Sequence, residues 1–180
     1  LTSGGGSTHN AMEDIAIVKS FVNMTVLSIG DPNMIRDILK LSMDYPGPMY
    51  IRLAQGKKDR PLYEPGTIEF SIGGSVTARE GTDATIIAHG EMVGMALDAA
   101  EELAKDGIQV RVIDMYTIKP FDQEAVRKAA AETGNIVVWE DHLMSGGLAS
   151  PLADFFVDEG ITPKSFKRFG IPQVYAGFGS

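Results

Sequence analysis

The sequence predicts an α/β protein: a partial parallel sheet, followed by a second α/β unit with a sheet of its own. Three observations predict it. Short β-branched apolar runs such as "MTVLSI" (24–29), "DATIIAHG" (83–90) and "NIVVWED" (135–141) alternate with longer segments whose apolar residues recur at helical spacing. Pro, Gly and Asp stand between these runs at short intervals, and strands alternating with helices through short turns imply parallel strands with helices packed on the sheet. Finally, 180 residues with 44% hydrophobic and 22% charged side chains describe a globular chain, one able to bury roughly 70% of its unfolded surface.

The elements follow in order. Asn10 with Glu13 three positions on has the form of a capping box, and Ala11, Ile15, Val18 and Val22 then share one helical face, so a helix is expected from near Ala11. "MTVLSI" is the first strand. Asp31-Pro32 supplies an N-cap and a proline at the first helical position, and Ile35, Ile38, Leu39 and Met43 carry that second helix to the stop at Tyr45-Pro-Gly-Pro48. "MYIRLA" (49–54) is the next strand. Residues 55–82 change character: "QGKKDRPLYEPG" is polar and broken, and "IEFSIGGSVTAREG" reads as a hairpin or edge pair, so a linker with edge strands is expected there. From 83 the alternation resumes with "DATIIAHG", a helix from about Glu91 to Lys105, "IQVRVIDM", a helix capped by Asp122, "NIVVWED", a helix ending near Glu159, and "SFKRFGI". Residues 83–180 thus form a complete unit, whereas 1–54 offer two strands and two helices and read as the back half of a domain. The apolar first strand needs further neighbours, expected upstream of Leu1 or on another chain, and the chain is expected to be incomplete as a functional unit.

Composition excludes several classes. A net charge of −8 without a Lys/Arg stripe argues against nucleic acid as a partner. With no cysteine there is no disulfide, thiolate nucleophile or Cys-bound metal. No apolar run approaches the ~20 residues needed to cross a bilayer, and Leu1 to Gly6 lack the basic and apolar regions of a signal peptide, so no membrane association and a cytoplasmic location are expected.

Three histidines are the candidates for chemistry. His9 follows "GGGST" and precedes a helix, where free N–H groups and the helix dipole favour an anionic or hydroxyl-bearing ligand; the plainer alternative is an exposed residue leading into the helix. His89 lies where a strand gives way to a helix, the edge at which α/β sheets bind ligands, or else is held by the N-terminal turn of that helix. His142 follows Glu140 and Asp141, and is either a proton-transfer group tuned by a carboxylate or a structural hydrogen-bonding residue. The three are not at metal-ligand spacing, and no metal site is expected. The glycine pairs at 73–74 and 146–147 lack dinucleotide-binding order and are assigned to turns and close packing. Met92, Met95, Met115 and Met144 are assigned to the core.

"GSTHNAMEDIAIVKSFVNMTVL" resembles the transketolase stretch in which a Thr-His pair precedes a helix beginning Glu-Asp-Ile-Ala. "GPMYIRLAQGK" resembles the strand that ends the pyrimidine-binding domain of that family. "RVIDMYTIKPFDQEAV" and "IVVWEDHLMSGGLAS" resemble the C-terminal domain shared by related thiamine-diphosphate enzymes. The resemblance covers nearly the whole chain. It implies the end of a parallel-sheet pyrimidine-binding domain followed by a three-layer α/β/α domain, within an enzyme that moves a two-carbon ketol unit between ketose and aldose sugars of the pentose-phosphate kind.

By the same resemblance, His9 faces the donor's oxygens, with Ser7 and Thr8 in the same substrate-binding turn. Where many transketolases have an acidic residue before this turn, the chain has Gly5 or a one-residue deletion. Gln55 stands where they carry an arginine for the substrate phosphate; Arg52 or Lys57 are nearby replacements, although Arg52 is expected on the opposite face from its strand neighbours. The resemblance places the glutamate that activates the aminopyrimidine, its stacking aromatic, and the diphosphate and Mg²⁺ site outside this chain. Thiamine diphosphate and Mg²⁺ are therefore expected in the complete enzyme and not on this part alone, which is expected to be inactive without an N-terminal transketolase section, in a homodimeric or split assembly. Two alternatives stay open: part of a 2-oxo-acid dehydrogenase beta chain or a related thiamine-diphosphate enzyme, and a non-catalytic α/β binding or assembly module.

Overall fold

Strands lie where the short β-branched runs fall in the computed structural model, which describes residues 9–53 and 61–175. In chain order the elements are α1 (Asp14–Lys19), β1 (Thr25–Ile29), α2 (Pro32–Met43), β2 (Met49–Leu53), β3 (Val76–Arg79), β4 (Ala84–Ala88), α3 (Met92–Lys105), β5 (Val110–Asp114), β6 (Thr117–Lys119), α4 (Gln123–Glu132), β7 (Asn135–Leu143), α5 (Ala149–Asp158) and β8 (Ser165–Ile171). They form a three-stranded sheet of order β2-β1-β6 and a five-stranded sheet of order β3-β5-β4-β7-β8.

In the larger sheet β4 runs parallel to β5 and β7, and β8 runs parallel to β7. Side chains alternate along these strands to opposite faces. Ile86, Ala88, Val110 and Val112 meet Val93, Ala96 and Ala100 of α3 on one face. Ile87, Ile113, Ile136 and Val138 meet Val126 and Ala129 of α4 and Leu152, Phe155 and Phe156 of α5 on the other. This is the three-layer α/β/α arrangement. Ile15 of α1 packs into the α4/α5 core, so the N-terminal segment is attached to the larger unit through apolar contact.

The smaller sheet corrects one expectation. β1 is buried at all five positions and pairs in parallel with β2 from Thr25↔Met49 to Ile29↔Leu53. Its other edge is taken by β6 of this same chain, antiparallel at Val26↔Lys119 and Leu27↔Thr117, and not by a strand upstream of Leu1 or on another chain. Three residues ahead of a proline carry no strand signal of their own. The partner they satisfy lies about ninety positions away.

The expected hairpin over 68–81 is a single strand, β3, antiparallel to β5 at the sheet edge. The run divides between two cores: Phe70 and Ile72 pack with Tyr116, Leu27 and Ile29, while Ala78 packs with the α3 layer.

Asp31 caps α2 as expected, its carboxylate accepting from the Asn33 and Met34 amides at 2.6 and 3.2 Å. The buried face is Met34 and Ile38, whereas Leu39 and Met43 of the expected stripe are exposed. The N-cap of α1 is Glu13 and not Asn10, and it makes no side-chain cap bond. Glu13 turns back to the Met12 amide at 3.0 Å, and the helix begins at Asp14, three residues later than expected. Val22, placed on the apolar face by spacing, lies beyond the helix and is exposed. Met115 fills core as expected, but Met95 is half exposed. Among the described residues no helix is long and apolar enough to cross a membrane.

Candidate functional site at the seam between the sheets

The carboxyl ends of β1, β2, β4 and β7 converge where the two sheets meet. Their approach is close: a Cβ on Gly30, just past β1, would stand 2.1 Å from the carbonyl oxygen of Gly90, just past β4. Only glycine permits that spacing at residue 30.

Around this point the chain gathers charge. Arg52 of β2 donates from Nε to Asp14 Oδ2 at 3.0 Å and from Nη1 to Asp141 Oδ1 at 2.6 Å. Its Nη2 reaches the carbonyls of Ala11 at 3.4 Å and Asp141 at 3.3 Å. Tyr50, two residues earlier and so on the same face of β2, donates to Asp14 Oδ2 at 2.8 Å. Burial opposes the charge on Arg52, but the two carboxylates outweigh it and raise its pKa. Burial would likewise raise Asp141, yet Arg52 foremost, with His89, holds it below the usual carboxylate range. Burial and the Asp14 contact push the Tyr50 hydroxyl up to about 12.

Both buried histidines are held by at least one ring nitrogen, although His89 Nε2 is buried without a hydrogen bond. His89 is held by Ser28 Oγ of β1 at 2.8 Å from Nδ1, not by the turn of α3, and its Nε2 lies 3.7 Å from Glu140 Oε2. Glu140 in turn accepts from the Leu148 and Ala149 amides at the start of α5. Gly147 is required there, since a Cβ would fall 1.9 Å from Glu140 Oε2. The close-packing assignment for 146–147 therefore stands. His142 takes the structural role: Nδ1–H donates to the Leu143 carbonyl at 2.7 Å, and Nε2 accepts from the Ala16 amide at 3.3 Å. It thereby satisfies one of the unpaired amides in the first turn of α1.

His9 is different. It is exposed on a turn, while the chain after it is fixed: Met12 is 2% exposed and its carbonyl accepts from the Leu143 amide at 2.9 Å. Met12 and Glu13 also line a cleft of about 410 Å³ with Leu143, Gln173, Val174 and Tyr175. Ser7, Thr8, Gln55, Gly5 and Lys57 lie outside the described residues. Of the expected site residues, the structure thus shows His9 and Arg52, joined through the backbone of Ala11. Sequence reasoning missed Asp14 and Tyr50; the alternation of Tyr50 and Arg52 along one strand was the available signal.

A second buried group sits behind α2. Asp31 also accepts from the amides of Leu62 and, at 3.1 Å, Tyr63. The Tyr63 hydroxyl donates to Asp114 Oδ2 at 3.0 Å, while Asp114 Oδ1 is buried without a hydrogen bond. Burial raises Asp114 from 3.8 to about 7, with Asp31 adding to the rise and the Tyr63 bond opposing it. An acid with a raised folded-state pKa gives stability that is complete below its unfolded pKa, near pH 4, and is lost as the pH climbs through about 7. Asp114→Asn is accordingly expected to gain on the wild type by on the order of a few kcal/mol between pH 4 and 8. Urea melts across that range test this. Parallel pH profiles for the two proteins would count against it.

Residues 73–179 match the transketolase C-terminal domain. The chain belongs to the transketolase family. One of the subunits of an apulose-4-phosphate transketolase from Phocaeicola vulgatus is 41% identical over 169 residues, covering 93% of this chain and 53% of that protein. A 1-deoxy-D-xylulose-5-phosphate synthase from Heliobacterium modesticaldum is 33% identical over 180 residues, covering 100% of this chain and 28% of that protein. A solved structure described as a split gene transketolase, inactive beta4 tetramer, superposes with a TM-score of 0.81 at 33% identity, covering 99% of this chain and 57% of that one. These relatives belong to the thiamine-diphosphate-dependent enzymes. This transketolase-family chain spans about half the length of the apulose-4-phosphate transketolase subunit and of the split-gene chain.

Proposed function

We propose that this chain is the C-terminal section of a transketolase that moves a two-carbon ketol unit between phosphorylated ketose and aldose sugars, acting together with an N-terminal section. The observation that carries this reading is the stance of His9: an exposed imidazole at the end of a segment anchored by buried Met12 and by the Arg52 bond to Ala11. Such a group is suited to hold or move a proton at a sugar oxygen. Ser7, Thr8 and Gln55 enter the reading as substrate contacts on resemblance alone. The relatives that are a split-gene transketolase and a transketolase subunit support a partner section for this chain.

The described residues do not fit the cofactor's diphosphate and Mg²⁺. Four of their buried carboxylates are engaged, Asp14 and Asp141 with Arg52, Glu140 with the start of α5 and Asp31 with four backbone amides, while Asp114, bonded to Tyr63 and with Oδ1 unpaired, stands alone behind α2. Among the described residues no group of three or more His, Asp or Glu is placed to hold a metal ion. No step is therefore assigned to the cofactor on this chain. In this proposal its binding site belongs to the partner section.

Calorimetric titration of the chain with thiamine diphosphate and Mg²⁺ is expected to give no saturable heat. Restoring the upstream half of the pyrimidine-binding domain together with the N-terminal section is expected to restore binding and ketol transfer from xylulose 5-phosphate. A tight one-site isotherm from the chain alone would overturn the division of labour. A reconstituted enzyme that condenses pyruvate with glyceraldehyde 3-phosphate and ignores ketoses would move the activity to the synthase side of the family.

A further inference from the structure

We propose that Arg52 is a positioning residue that sets the stance of His9, acting through the Ala11 carbonyl and Asp14 and not through a substrate group. The inference rests on the reading of His9 given above.

The guanidinium is a planar fork whose donors diverge in fixed directions. Here they are spent on three parts of the protein: Asp14 at the start of α1, the Ala11 carbonyl two residues beyond His9, and both the side chain and carbonyl of Asp141 on β7. The Arg52 side chain is only 13% exposed. It is flanked by two carboxylates, so the three groups together carry a formal charge of about −1, which repels an incoming phosphate. Tyr50 adds a second bond from β2 to Asp14, and Met12 is tied to Leu143 beside Asp141. Arg52 therefore joins β2, the segment leading from His9 into α1, and β7 at one point. Loosening it frees the turn that carries the imidazole. A lysine keeps the charge but cannot reproduce the fork.

The test uses Arg52→Lys and Arg52→Met in the enzyme assembled with its N-terminal section, with xylulose 5-phosphate and unphosphorylated xylulose as donor probes. A displaced but intact catalytic group predicts a fall in kcat of about 10–100-fold with little change in KM. The preference between the two donors should stay the same. Adding Arg52→Met to His9→Ala should cost no more than about twofold beyond His9→Ala alone, because residues acting as a unit are not additive. On the isolated chain, amide exchange at Ala11, Met12 and Glu13 should quicken by about tenfold or more while Ile87 and Val112 in the larger sheet keep their protection.

A raised KM with loss of the phosphate preference would overturn the proposal in favour of a substrate grip. Full multiplicative loss in the double variant would overturn it too, as would unchanged exchange at residues 11–13 or equal acceleration at every amide. If His9→Ala alone leaves turnover intact, the reading of His9 falls; the exchange measurement still decides whether Arg52 fixes the segment.

Discussion

Replacing His9 by alanine in the assembled enzyme is expected to lower turnover by roughly 10²–10⁴-fold, the scale of a positioned proton-transfer group. The affinity for thiamine diphosphate should hardly change, because in this proposal the diphosphate and Mg²⁺ site lies in the partner section, and among the described residues no group of three or more His, Asp or Glu is placed to hold a metal ion. The fold should hardly change either, since His9 is exposed and the anchor of its segment is Met12. His9→Gln separates two roles: an amide keeps a hydrogen bond to a sugar oxygen but cannot carry a proton. Partial recovery in the glutamine variant would assign part of the effect to orientation. Lys105→Ala, which removes an exposed ion pair with Glu102 on α3, serves as the control and should stay within a few-fold of wild type. His89→Ala is unsuited to that purpose, because its ring bonds Ser28 across the seam and its loss disturbs both sheets. Wild-type turnover in His9→Ala would remove the case for ketol transfer through this residue.

Local chemistry made much of the fold legible. Asp31-Pro32 announced the start of α2, and the carboxylate caps it. Asp122 did the same for α4, accepting from the Ala125 amide at 3.0 Å. The β-branched runs became strands because alternate residues enter cores on opposite faces, as Ile86 and Ile87 show. What local reading could not supply came from partners far along the chain. Asn10 and Glu13 have the spacing of a capping box, yet α1 starts three residues later, where the His142 ring meets the amide of Ala16 from 126 positions away. β6 exists because β1 needs a second neighbour. The candidate site divides in the same way. His9 was legible from its turn and its resemblance to a family motif, whereas the path from Arg52 to Asp14 and Asp141 depends on how two sheets meet. Arg52 looked available for substrate because sequence shows the charge of a residue without the charges folded against it.

The largest loss of stability from a single polar side chain is expected at Asp31. Its carboxylate is 1% exposed and accepts from the amides of Asn33, Met34, Leu62 and Tyr63. Two of these open α2, and two belong to the segment that carries Tyr63 to Asp114. Asp31→Ala removes a helix cap, which costs about 0.5–2 kcal/mol. It also leaves the part-buried amides of the 62–63 segment without acceptors, at about 1–3 kcal/mol for each that water cannot reach. A total of about 3 kcal/mol follows when the cap and one stranded amide are counted, and in a chain of this size that lowers Tm by about 6–12 °C. Asp31→Asn keeps one acceptor oxygen and should lose about half as much. The pattern of loss matters as much as its size. Amide protection at Leu62 and Tyr63 should disappear in the alanine variant at temperatures where the larger sheet stays closed, because those two bonds hold the segment against α2 rather than building the sheet. A shift in Tm below about 2 °C, with protection at Leu62 and Tyr63 intact, would show that other bonds hold the segment and that Asp31 serves only as a cap.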